Sequence, residues 1–149
     1  FGCAKNPSAN KPTANQQNNS EAASNIAESQ GQGYDQEDMR VNFAENSTVY
    51  FDFDVSTPKS DEAIKVANQA SWLKANSFKQ IIIEGYADIY GTREYNLALG
   101  ERRANAIKEI LVRNGINSKK IKVVSYGKER LADHDVQWKN RRTITKIEQ

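Results

Sequence analysis

The chain has 149 residues, 38% of them hydrophobic, and a mean hydropathy of -0.79. That supports one modest core and leaves no run approaching the roughly 18 apolar residues of a membrane-spanning helix. The net charge is +2, no Lys/Arg run with interleaved aromatics offers a nucleic-acid footprint, and the single cysteine excludes an internal disulfide.

Residues 1–45 are rich in Asn, Gln, Ser, Ala and Gly and carry three basic against six acidic residues. Such a composition buries too little apolar surface to offset chain entropy, so a disordered arm is expected there. Residues 46–149 hold 18 basic and 13 acidic residues, a net +5, and are read as the folded domain. Ser47 to Phe53, β-branched and aromatic, reads as a strand. Thr57-Pro58 offers an N-cap and a first-turn proline, and Ala63, Val66, Ala67, Ala70 and Leu73 lie on one face of a helix. Lys79 to Gly85, centred on Ile81-Ile82-Ile83, reads as a strand at the centre of a sheet. Thr92 is placed to cap a second helix, with Glu94 in its first turn. Its apolar stripe is Leu97, Gly100, Ala104, Ile107 and Leu111, and Asn114-Gly115 ends it. Ile121 to Tyr126 and Thr143 to Ile147 read as the last two strands. The order β-α-β-α-β-β predicts an α+β fold, two helices packed on a mixed sheet.

The chemistry gathers where the triple-isoleucine strand meets the second helix. Asp88 follows the strand, and Arg103, Leu99 and Asn96 share one flank of the helix. Asp54 ends the first strand beside Phe53. If the first two strands neighbour one another, Asp54 and Asp88 share a rim with Arg103. A carboxylate and a guanidinium on one rim suit a zwitterion, the guanidinium taking a carboxylate through a bidentate fork.

Glu84-Gly85-Tyr86-Ala87-Asp88-Ile89-Tyr90-Gly91-Thr92, with Leu99-Gly100-Glu101-Arg102-Arg103-Ala104 beyond it, resembles the signature of the OmpA-like peptidoglycan-binding domain family. Ser125-Tyr126-Gly127 and Asn140-Arg141-Arg142 extend the resemblance over about residues 46–147. It implies noncovalent binding of peptidoglycan through the meso-diaminopimelate of its stem peptide. Phe53, Asp54, Asp88, Asn96, Leu99 and Arg103 are then the binding residues, with Asn96 a helper that holds the loop before the helix and Leu99 a contact through its backbone. Three departures stand out: Tyr86 replaces a His or Asn, Ile89-Tyr90 replaces Glu-Arg, and Lys128 to Lys139 is short. The first two are expected to reshape the pocket rim.

Phe1-Gly2-Cys3-Ala4 is similar to the end of a bacterial lipoprotein signal, which implies acylation of Cys3 and attachment to the outer membrane, with the domain in the periplasm. Residues 4–45 as a coil would then reach roughly 35 Å, and about 140 Å stretched. The resemblance further implies TolB and other Tol proteins as partners and a part in cell division. Rival readings are another OmpA-like module, such as that of a flagellar stator, and a wall hydrolase acting through Asp54 and Asp88. One His and one Cys without a motif around them point to neither a catalytic triad nor a metal site, so no enzyme activity, cofactor or metal is expected. Arg102 is read as solvated, Arg141 and Arg142 as charges guarding a sheet edge, and His134 and Trp138 as surface or packing residues.

Overall fold

The computed structural model describes Phe43 and residues 47–148. Of the predicted disordered arm, residues 1–45, the structure describes Phe43, which corrects the reading at that point: it is helical and 5% exposed, its ring 5.0 Å from that of Trp72 in the core, while Cys3 and the other residues of the arm lie outside the described residues. Four strands form one sheet in the order β1-β4-β2-β3: β1 is Thr48–Tyr50, β2 Gln80–Tyr86, β3 Ile121–Gly127 and β4 Arg142–Glu148. β2 and β3 are parallel, while β4 runs antiparallel to both β1 and β2. Two helices, α1 (Ser60–Ala75) and α2 (Arg93–Arg113), complete the predicted α+β order.

β1 and β2 are not neighbours, as the shared-rim argument assumed. The β1-α1-β2 crossover skips one strand position, and β4 fills the slot with ladders on both sides. Arg141 and Arg142 therefore enter a central strand and guard no edge. The first helix also starts later than Thr57-Pro58 suggested. Pro58 disfavours helical backbone at Thr57. Lys59 is still extended, with φ -66° and ψ 163°, and serves as an N-cap without a side-chain bond. Glu62 in the first turn accepts from Tyr50 N at 3.1 Å, fastening the helix entrance to β1.

Period 2 sorts the sheet's two faces. Val49, Ile81 and Ile83 face Val66, Ala70 and Leu73 of α1 and Ala104, Ile107 and Leu111 of α2 in the core. Each valine, leucine or isoleucine among them stabilises the fold by about 1.5–3 kcal/mol when fully buried. The other face is aromatic and ionic. The Arg142 guanidinium lies 3.8 Å from the centre of the Tyr86 ring, Tyr86 packs on Tyr126 at 5.5 Å, and Arg130 stacks on Tyr126 at 3.8 Å. Tyr86 Oη donates to Glu84 at 2.8 Å, and Lys146 pairs with the same carboxylate at 3.2 Å. Burial, and then the Glu84 carboxylate, push the Tyr86 hydroxyl well above its ordinary pKa. The Tyr86 side chain is thus spent on this open face and does not reshape the rim.

α2 crosses β2 at very close range. A Cβ on Gly85 would run into the Gly100 carbonyl, and one on Gly100 into Ser125 Oγ. Ser125 Oγ donates to Leu97 O at 2.6 Å, tying β3 to the same turn of the helix. Thr92 caps α2 by accepting from Tyr95 N at 3.1 Å, and Gly115, at φ +100°, follows its end, as the sequence predicts. The β3–β4 connection is built round the fully buried Asn140. Its Oδ1 accepts from Ala132 N at 2.7 Å and Asp133 N at 3.0 Å. Its Nδ2 donates to Asp133 O at 2.7 Å and to Gln137 Oε1 at 2.9 Å. His134 and Trp138 are exposed, Trp138 with its ring against Tyr50.

Two substitutions test this frame. Gly85→Ala is expected to cost at least about 2 kcal/mol, because the obstacle is helix backbone that cannot swing aside. Asn140→Ala is expected to cost about 2–4 kcal/mol by stranding buried partners. Urea unfolding of each variant against the parent chain measures both.

Candidate functional site

The segments that follow β1, β2 and β3 converge on the start of β4 and the first turns of α2. The chain after β2 is shaped first. Ala87 N donates to Gly127 O at 2.8 Å, and Gly91 turns with φ +95°. Asn96 Nδ2 then donates to Tyr90 O at 2.7 Å and Thr92 O at 3.0 Å. Asn96 thus holds the loop from beneath, the position expected of it. Asp88 sits inside this turn, 4% exposed, with Oδ1 accepting from Tyr90 N at 3.2 Å. Its Oδ2 is buried and makes no hydrogen bond among the described residues.

Arg103 is fully buried, although its neighbours in sequence read as a flank of the helix. Side chains of a helix lean toward its N-terminus, and this one reaches back to the end of β2. Nη1 donates to Tyr86 O at 2.9 Å, Nη2 to Asp52 O at 3.0 Å and Nε to Val55 O at 2.8 Å. The fork therefore grips the protein's own backbone, leaving one N–H on each terminal nitrogen. The Phe51 ring lies 5.2 Å from the guanidinium carbon. Burial holds the Arg103 pKa down at about 10; Asp88 pulls it back up, and Arg141 pushes it down again.

Arg141 is the residue that the edge-charge reading missed. Its Nε donates to Phe51 O at 2.9 Å, and Nη1 stands 3.5 Å from Asp88 Oδ2. With its side chain 19% exposed, it is more open to the mouth than the fully buried Arg103. The available signal was the Asn-Arg-Arg match itself. It was outweighed by the assumption that a last strand lies at an edge.

The remaining predicted residues fall on the rim or beneath it. Phe53 is 60% exposed, with its ring 6.1 Å from that of Tyr90. Asp54 has φ 57°, a left-handed conformation that Asp tolerates, and accepts the Tyr95 hydroxyl proton. That bond raises the Tyr95 pKa. Arg102 lies over the Tyr95 ring at 5.7 Å. Leu99 is buried within the second turn of α2. Among the described residues no hydrogen bond joins Asp54 or Asp88 to Arg103; the shared element is the 51–55 segment, gripped by Arg103 and Arg141 together. No three His, Cys, Asp or Glu side chains converge as a metal site among the described residues, and no described helix is long and apolar enough to cross a membrane. Chemically, the mouth offers a buried carboxylate oxygen with no hydrogen bond, flanked by two guanidinium groups.

Residues 50–145 match the model of the OmpA family. The chain is 44% identical over 117 residues to the peptidoglycan-associated lipoprotein of Mesorhizobium japonicum, covering 74% of this chain and 67% of that one. It is 41% identical over 101 residues to the peptidoglycan-associated lipoprotein of Pseudomonas aeruginosa, covering 66% and 60%. The matches span about two thirds or less of these relatives' length. Among solved structures, the peptidoglycan-associated lipoprotein of Burkholderia pseudomallei superposes with a TM-score of 0.63 at 36% identity, covering 68% of this chain and 90% of that one. The C-terminal domain of Helicobacter pylori MotB superposes with the same TM-score of 0.63 at 17% identity, covering 68% and 82%, a likeness of fold alone. With the family model matched from β1 to β4 and this level of identity to the peptidoglycan-associated lipoproteins, the chain belongs to the OmpA family.

Proposed function

We propose that this chain binds peptidoglycan noncovalently and holds the outer membrane to the cell wall. The observation that carries the reading is Asp88 Oδ2, a buried anionic acceptor with no hydrogen bond, 3.5 Å from Arg141 and close enough to act on Arg103. The free end of meso-diaminopimelate carries an ammonium and a carboxylate on one carbon. Asp88 takes the ammonium, and the spare N–H groups of Arg103 and Arg141 take the carboxylate, each such bond contributing about 1.5–3 kcal/mol. Because Arg103 is fully buried, the 51–55 segment yields at Asp52 and Val55 as the ligand enters. The names of the relatives support the polymer as ligand.

In this reading Cys3 carries the lipid anchor in the outer membrane, the domain works in the periplasm, and TolB and other Tol proteins are its partners during division. In this reading the site grips and does not cut, because the donors set beside Asp88 are guanidinium groups, which suit the carboxylate of a bound ligand.

Calorimetric titration of the 149-residue chain tests the reading. A diaminopimelate-containing disaccharide-tripeptide is expected to bind, and its lysine analogue, which leaves the guanidinium groups unpaired, at least about 100-fold more weakly. Asp88→Asn is expected to stay folded, with Tm lowered by the loss of the charge beside Arg103 and Arg141, and to lose about 30–100-fold in affinity at a temperature where it is fully folded. Equal binding of both ligands, or an unaffected Asp88→Asn variant, refutes it. Arg103→Ala removes a donor from three carbonyls, of which Asp52 O still accepts from Val55 N, and is expected to lower unfolding stability by about 3–5 kcal/mol in urea, with Arg103→Lys in between.

A further inference from the structure

Among the described residues, five of the eight exposed large hydrophobic side chains stand at this one mouth: Phe53, Val55, Ile89, Tyr90 and Tyr95. Water disfavours such a gathering, and the residues that end the strands do not require it. Phe53 and Tyr90 meet edge to face, at 75°, while remaining 60% and 57% exposed. The platform is fixed to the site, since Tyr90 N donates to Asp88 and Tyr90 O accepts from Asn96. Polar groups edge it: the Asp54 carboxylate with the Tyr95 hydroxyl, and Arg102 over the Tyr95 ring.

We infer that the Phe53–Tyr90 rim is a saccharide subsite that stacks against a pyranose of the glycan strand, while Asp88 and its guanidinium groups hold the stem peptide. A pyranose presents one face of C–H bonds and a border of hydroxyl and amide groups, and this rim presents aromatic faces bordered by a carboxylate, a hydroxyl and a guanidinium. The inference rests on the stem-peptide reading above and extends it from the peptide to the sugar.

The test compares two ligands on the 149-residue chain by calorimetry: the free diaminopimelate tripeptide and the same tripeptide on its disaccharide. The parent chain is expected to bind the disaccharide-tripeptide about tenfold more tightly than the tripeptide. Tyr90→Ala is expected to erase most of that ratio while leaving tripeptide affinity unchanged, and Tyr90→Phe to retain it. A parent chain that binds both ligands equally overturns the saccharide subsite while sparing the peptide site, and points to a protein as the rim's occupant. A ratio that survives Tyr90→Ala overturns it as well. A parent chain that binds neither ligand overturns the peptide reading and the subsite together.

Discussion

The structure turns on a buried positive charge. Arg103 spends three of its five N–H groups on the carbonyls of Asp52, Val55 and Tyr86. A buried guanidinium is costly unless its donors are satisfied, and these carbonyls lie at the end of β2 and beyond the end of β1. One side chain thus meets the hydrogen-bonding needs of two loop entrances from a third element. The lowered Arg103 pKa marks what this arrangement costs, and the nearby Asp88 carboxylate offsets part of it. The site is assembled by the same bonds that close the fold at this end, so its geometry and the domain's stability share their parts.

That reach depends on how near α2 lies to the sheet. The glycines at 85 and 100 remove two side chains from the crossing, and Ser125 fills the remaining gap with a hydrogen bond to the helix. A helix held farther out would leave the Arg103 fork short of the strand ends. Among the described residues no helix covers the opposite face of the sheet, which is stabilised differently, by the Arg142–Tyr86–Tyr126–Arg130 stack and the buried Glu84. Arginine stems lying on tyrosine rings shield apolar ring surface while the face as a whole remains polar.

Local patterns in the sequence were legible. The Thr92 cap, the Gly115 stop, the triple-isoleucine strand and the placement of Asp88 after it all follow from rules spanning a few residues. What could not be read was pairing at long range. That β4 slips between β1 and β2 is a choice among sheet orders with the same strand pattern, and with it went the roles of Arg141 and Arg142. Arg103 misled for another reason. Arginine is a surface residue by habit, and nothing within a turn or two of it announces that three carbonyls from distant loops will enclose it. The direction of Tyr86 was legible in principle from the alternation along β2, had the core face been known to pass through Gly85.

The position of β1 also has a mechanical meaning. Its bonds to β4 run from Thr145 N–Ser47 O at one end to Phe51 N–Arg141 O at the other, and the mouth opens just past the latter. A pull entering at Ser47 and resisted by a ligand at the mouth is directed along this ladder. The bonds then share the load and slide against one another together, where a sideways pull would part them one by one. Were the domain held by a ligand at the mouth and loaded from Ser47, this short edge strand would meet the tension along its length, the direction in which its ladder resists most.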